Sequence, residues 1–308
     1  MRMTQKQNIL TKTGIVALLA CVCCILWGSA IPVIKTGYRF LHVDSSDIAS
    51  QIVFAGVRFT LAGILVLIFA SIREKKVMIP DKEILKYAVP VCLAQTVGQY
   101  FFFYIGVANT SGVKGGIITG LGNFIAILLS CLVFRNERMT RRKIAGCVLG
   151  FAGVVLINLN GMNFQFGLAG EGAIFFSTIA YAFSSVFVKK FSQKFNPVML
   201  SAYQFIIGGI VLMAAGGVMG GHITKVTPSG IGLLVYLALV SAVAYSLWGI
   251  LLKYNPVSRV TVFGFMNPVF GVLLSALLLG EKDQASGILG LLSLLLVSVG
   301  IYVVNSGK

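Results

Sequence analysis

Arg58 sits near the middle of an otherwise apolar run, residues 48–72. A charge at such a depth costs at least about 2.5–3.5 kcal/mol among lipid tails, so it must face protein or a water-filled cavity. There it either attracts a carboxylate or other anionic group, or clamps carbonyls and helix ends between neighbouring helices. Gln204, Arg58's counterpart in a second run, is expected to be a packing or cavity residue too. Gln95 and Gln99 stand one helical turn apart, with Tyr100 and Tyr104 adjacent. Such a face either hydrogen-bonds a polar solute or glues helices together. Asn123 and Asn267 fall in the middle of two further runs, and Pro268 frees a carbonyl one turn earlier, near Gly264. Breaks of this kind line solute sites inside membranes. Trp27, Tyr181, Tyr245 and Trp248 complete the set, as cavity walls or as packing.

Other chemistry is missing. None of the nine acidic residues lies in the middle of a run, and both histidines, His42 and His222, fall in loops. A proton relay through a buried carboxylate or histidine therefore has no members. No phosphate loop of the Walker type and no HExxH pair occurs, which excludes direct ATP hydrolysis and zinc-dependent proteolysis. The six cysteines, Cys21, Cys23, Cys24, Cys92, Cys131 and Cys147, all lie in apolar runs and behave as small hydrophobes. No metal site and no cofactor is expected.

These residues need elements that hold them in lipid. Hydrophobic residues make up 57% of the 308, and charged residues only 11%. Soluble domains carry roughly 25% charged residues. The mean hydropathy of +0.92 agrees with a lipid-facing surface. The net charge of +16 does not indicate nucleic acid, because the basic residues are scattered through short loops rather than clustered in a groove. A span needs about 20 apolar residues. Runs of that order recur at 13–34, 48–72, 84–107, 111–134, 141–159, 170–189, 197–219, 229–252, 256–279 and 285–304. They are continuous rather than alternating, so helices are expected, not a barrel. The first run extends past Cys21 to about Val33, too long for a signal-peptide core.

With the N-terminus in the cytoplasm, 19 of the 25 lysines and arginines face inward, five face outward, and Arg58 stays within a span. That bias predicts an all-α membrane protein of ten transmembrane helices with both termini cytoplasmic. Lys114, about one turn inside the fourth span, is expected to snorkel to the headgroups.

The halves repeat. GNFIAILLSCLVFRNE (122–137) aligns with MNPVFGVLLSALLLGE (266–281), placing Asn123 on Asn267 and Glu137 on Glu281. GVVLIN (153–158) aligns with GIYVVN (300–305), and VRFTLAG (57–63) resembles YQFIIGG (203–209), which places Arg58 on Gln204. Five spans per half is odd, so the second copy must insert upside down. The loop charges agree: Arg135 to Lys143 supply five basic residues after the fourth span, whereas the loop after the ninth carries only Lys282. The expected units are residues 1–159 and 160–308, inverted-topology repeats with a solute site at their seam.

WGSAIPVIK (27–35), VRFTLAG, YIGVANTSGVKGG (104–116), MNPVFGVLLS (266–275) and the repeated Ser–Glu–Gly–Gly series resemble the drug/metabolite transporter superfamily, in its ten-span branch with two EamA-type domains. The resemblance covers nearly the whole chain. One departure is Asn123, where the family commonly has a proline like Pro268. The resemblance implies a multi-pass protein of a bacterial cytoplasmic membrane that moves a small metabolite, often outward. It also implies a central cavity lined by the first four spans of each half. Amino acids are one substrate class of the family. Efflux of drugs or toxic compounds on the same fold is the alternative, ahead of a membrane-embedded enzyme or a non-transporting receptor. The expected partners are a small solute and the lipid bilayer, with no nucleic acid; the motifs specify no oligomer. Reporter fusions after Arg141 and after Gln284 are expected to fall on opposite faces of the membrane; a shared face contradicts the inverted repeat.

Overall fold

A computed structural model describes residues 9–44, 46–79, 82–110, 112–158, 166–279 and 287–306. The expected boundary at 159/160, Glu281 and Lys282 lie outside the described residues. Ten helices follow one another among those described: α1 (Thr13–Phe40), α2 (Ile48–Glu74), α3 (Lys82–Ala108), α4 (Gly112–Leu128, continued by a π turn Leu129–Val133) and α5 (Arg141–Ile157). Then come α6 (Leu168–Phe191), α7 (Pro197–Val218), α8 (Pro228–Tyr254), α9 (Val257–Leu279) and α10 (Gly287–Asn305). Nine of these are long and apolar enough to cross a membrane, which makes this a multi-pass membrane protein. The exception is α5, with 17 residues. No strand occurs among the described residues.

Helix starts follow from local chemistry. Asp47, Thr140, Asn196 and Thr227 accept hydrogen bonds from the first free N–H groups of α2, α5, α7 and α8. Pro197 and Pro228 occupy first-turn positions where no N–H is needed. Four helices depart from regular α geometry, α4 and α6 by π turns at Leu129–Val133 and Leu168–Gly172. Residues Cys92–Gly98 of α3 form a π segment just after Pro90, and α9 tightens into a 3-10 turn over Val262–Phe265. That turn lies immediately before Pro268, whose ring disfavours a regular bond to the Gly264 carbonyl. The expected kink is thus a 3-10 segment.

The helices pack in specific pairs. α2 lies along α7, and α5 along α10. α1 contacts both α8 and α9, while α6 contacts both α3 and α4. Two further contacts join α2 to α8 and α7 to α3. At the α2–α7 crossing glycine is required. A Cβ on Gly209 would stand 2.7 Å from the Gly56 carbonyl oxygen and 2.5 Å from the Thr60 nitrogen. A Cβ on Gly56 would meet the Gly209 carbonyl at 2.7 Å. The same exchange occurs in α5–α10, where Gly146 and Gly300 each face the other's carbonyl at 2.6 Å. Without a strong hydrophobic drive between helices in lipid, such close contact supplies the packing energy.

Gly209→Leu is expected to destabilise the protein by about 3 kcal/mol or more, because backbone, not a flexible side chain, stands in the way. Gly217, on the same helix, has nothing within 4 Å of a built Cβ. Gly217→Leu is therefore expected to stay within about 0.5 kcal/mol of the parent. Thermal unfolding of both variants in detergent checks the contrast.

Candidate functional site

Two residues beyond Gly56, α2 carries Arg58, which is 2% exposed. Its Nε donates to the Leu237 carbonyl (3.3 Å) and to Ser241 Oγ (3.1 Å), tying α2 to α8. The Ser241 hydroxyl donates onward to the Leu237 carbonyl. The guanidinium also lies 5.1 Å from the Phe59 ring centre.

Gln204 on α7 is fully buried. Its Nε2 donates to Gln95 Oε1 (3.1 Å), its Oε1 accepts from Thr96 (2.5 Å), and Gln95 donates to Ser184 Oγ (3.3 Å). This ties α7 to α3 and α6. The offset of 146 that carries Arg58 to Gln204 also carries Gln95 to Ser241. The two clamps therefore use aligned positions. Sequence reading singled out Gln95 but not Thr96, Ser184 or Ser241, because single hydroxyls in apolar runs look like any others. Applying the repeat offset to Gln95 is the signal that finds Ser241.

Between the clamps lies an aromatic cluster. Trp27 stands edge-on to Tyr245 and to Trp248, each at 5.0 Å between ring centres. Phe59 stacks on Phe205 (5.3 Å), which meets Tyr245 edge-on (5.2 Å). The Tyr100 and Tyr245 hydroxyls share a hydrogen bond of 2.7 Å. This conformation closes the centre with rings where the sequence suggests cavity walls. The Tyr100–Tyr245 bond joins α3 to α8 directly.

Around these rings several buried polar atoms have no protein hydrogen-bond partner. They are Trp27 Nε1, Gln99 Oε1, Asn123 Oδ1, Trp248 Nε1 and Asn267 Oδ1. Leaving such an atom unpaired costs about 1–3 kcal/mol. The Gln95–Gln99 pair is divided, since the π segment breaks the simple four-residue turn: Gln95 finds side chains, while Gln99 Oε1 does not. Asn123 donates weakly to the Gly120 carbonyl (3.4 Å) and lies against Gly264, where a Cβ would collide with its amide. Asn123 and the proline-distorted turn of α9 thus meet side by side. The cluster thus combines hydrogen-bonding edges with π faces. Among the described residues no group of three His, Cys, Asp or Glu is placed to hold a metal.

Two carboxylates missed as functional candidates tie down the ends of α4. Lys114 does not snorkel: its Nζ donates to Glu171 Oε1 at 2.8 Å, with both side chains largely buried. The start of α6 supplies the acidic partner that holds Lys114 inside the bundle. Thr110 donates to the same oxygen (2.6 Å). At the other end, Glu137 accepts from Lys143 (2.8 Å), Ser130 (2.9 Å) and the Ser258 backbone N–H (3.1 Å), as well as from the Ser258 hydroxyl. A carboxylate on the first N–H groups of α9 is stabilised by the helix dipole.

A bundle of long apolar helices around a buried seam of rings, amides and hydroxyls defines a membrane transporter. The EamA-like transporter family matches residues 14–159 and again 168–306, and the chain belongs to this family, within the drug/metabolite transporter superfamily. An uncharacterized inner membrane transporter of Escherichia coli K12, YedA, is 30% identical over 91% of this chain and 89% of its own. A probable amino-acid metabolite efflux pump of Salmonella typhimurium is 28% identical over 95% of this chain and 94% of its own. A solved crystal structure shares the fold, with a TM-score of 0.74 at 18% identity, covering 94% of this chain and 96% of that one. Family membership brings with it a small-molecule solute and a lipid environment.

Burial alone would raise the Glu137 carboxyl, but the hydrogen bonds from Lys143 and Ser258 and the Lys143 charge outweigh it and hold the group below its ordinary value. The carboxylate therefore stabilises the folded protein fully above the ordinary value, and this is lost as pH falls through the lowered one. Glu137→Ala is expected to cost about 3 kcal/mol at neutral pH. The parent is expected to lose that advantage progressively below about pH 5. Thermal midpoints of both proteins across this range are the check, and parallel curves would refute the assignment.

Proposed function

We propose that the protein is a secondary transporter that exports a small metabolite, such as an amino acid, by alternating access. In this reading ten helices span the cytoplasmic membrane as two inverted five-helix repeats, 1–159 and 160–308, with both termini cytoplasmic. The 17 residues of α5 rise about 26 Å, enough for a short span. Support for the repeat comes from the packing. Exchanging helices one to five with six to ten turns the α1–α8 contact into α6–α3, and α1–α9 into α6–α4, while α2–α7 and α5–α10 map onto themselves. The family match to two consecutive stretches points the same way.

The observation that carries the reading is the set of buried, unpartnered polar atoms contributed by both halves around one seam. A solute held there would satisfy Gln99, Asn123 and Asn267 through their amides, with the Tyr104 and Tyr181 rings beside it. Trp27 and Trp248 would add indole N–H donors. Arg58 and Gln204, already engaged by neighbouring helices, position α2 and α7 instead of holding the solute. Opening toward either side requires Trp27 to part from Tyr245 and Trp248, and the Tyr100–Tyr245 bond to break. The export direction rests on the efflux pump among the relatives. With no ATP-binding motif and no carboxylate or histidine in the middle of a span, the reading is facilitated diffusion, or coupling through something other than a carboxylate. The same rings favour a second reading, efflux of flat or cationic toxic compounds, since π faces attract cations.

Purified protein in liposomes is expected to exchange labelled amino acids with internal unlabelled ones, and Asn267→Ala to lower that exchange about tenfold, the worth of one hydrogen bond. Competition by flat aromatic cations, without competition by amino acids, would select the second reading. Absence of flux for every solute in a broad metabolite and drug panel would refute transport through this seam.

A further inference from the structure

Away from the seam, a cavity of about 420 Å³ opens between α2, the start of α7 and α8. Its walls are apolar, built by Val66, Ala70, Val243 and Leu247 among others. Phe69 and Val243 on its lip are exposed where the helices face lipid. Two charges of opposite sign, Arg73 and Glu74, line it at the end of α2. Both are exposed, and neither forms an ion pair with another described residue. Ser246 also lines the cavity, and its buried Oγ has no protein partner.

We propose that this cavity binds one phospholipid with a primary-amine headgroup, of the phosphatidylethanolamine class. An acyl chain fills the apolar trough, where a solute rich in polar groups would leave them unpaired. Arg73 takes the phosphate, as guanidinium groups do. Glu74 takes the ammonium, which a choline headgroup, lacking N–H, cannot donate. Ser246 donates to an ester carbonyl. The site is distinct from the aromatic seam, although Ser246 adjoins Tyr245, so the lipid would sit against a helix that opening of the seam must move.

The test titrates the purified full chain in detergent with dioleoyl lipids bearing ethanolamine, choline or glycerol headgroups, read by thermal midpoint and native mass spectrometry. The ethanolamine lipid is expected to raise the midpoint by about 3 °C at ten times its Kd and to remain as a one-to-one adduct. The choline and glycerol lipids are expected to give less than about half of that rise. Glu74→Gln is expected to bring the ethanolamine response down to that of choline, and Arg73→Ala to remove both. Ala70→Phe, which fills the trough from its wall, is expected to abolish the adduct. If that variant does not fold, Val243→Trp on the half-exposed lip replaces it. Equal responses to the three lipids, a preference for the glycerol headgroup, or an ethanolamine response unchanged by the filling variant would overturn the proposal.

Discussion

The backbone contact between α2 and α7 is the constraint from which the centre of this protein is built. At Gly56 and Gly209 each helix presses its carbonyl against the bare Cα of the other. The next functional residues along these helices are Arg58 with Phe59, and Gln204 with Phe205. The crossing therefore sets both polar clamps and a stacked ring pair at one level. A larger residue at either glycine would separate the helices and pull both clamps from α8 and α3. In lipid, where apolar surface gains little by leaving its surroundings, van der Waals packing of this kind and interhelical hydrogen bonds are what hold helices together.

Polar groups in the interior are treated in two ways. Arg58, Gln95, Gln204 and Ser241 are bonded to other helices, so their cost of burial is offset within the protein. Gln99, Asn123, Asn267 and the two indoles each leave one buried polar atom without a protein partner. A fold selected for rigidity alone would pair such atoms or replace them, since each costs about 1–3 kcal/mol. Their retention leaves hydrogen-bonding capacity in the interior that the neighbouring helices do not use.

Both ends of α4 are tied to neighbouring helices by carboxylates. Glu171 joins the start of α4 to α6, and Glu137 joins its far end to α5 and to the first turn of α9. Asn123, on the same helix, lies against the 3-10 turn of α9 at Gly264. One helix thus carries a charge-assisted bond at each end, roughly twice as strong as a neutral one, and a neutral amide against α9 between them.

Hydropathy and spacing determined much of this. Long apolar runs dictate helices, because lipid leaves the backbone no other partner. Their positions, the placement of charges in loops and the alignment of Arg58 with Gln204 and Asn123 with Asn267 are all legible in the residue order. Proline at 268 already marked the distortion of α9. What the order of residues leaves undecided is which helix each polar group meets. Gln95 and Gln99 look equivalent at four-residue spacing, and only the π segment of α3 gives one a set of partners and leaves the other without. Lys114 looks like a headgroup anchor until α6 brings Glu171 to 2.8 Å. Tyr100 meets Tyr245 across 145 residues of chain. Local sequence sets periodicity and burial, which are properties of one helix; partner choice depends on crossing geometry between helices distant in sequence, and only the assembled bundle decides it.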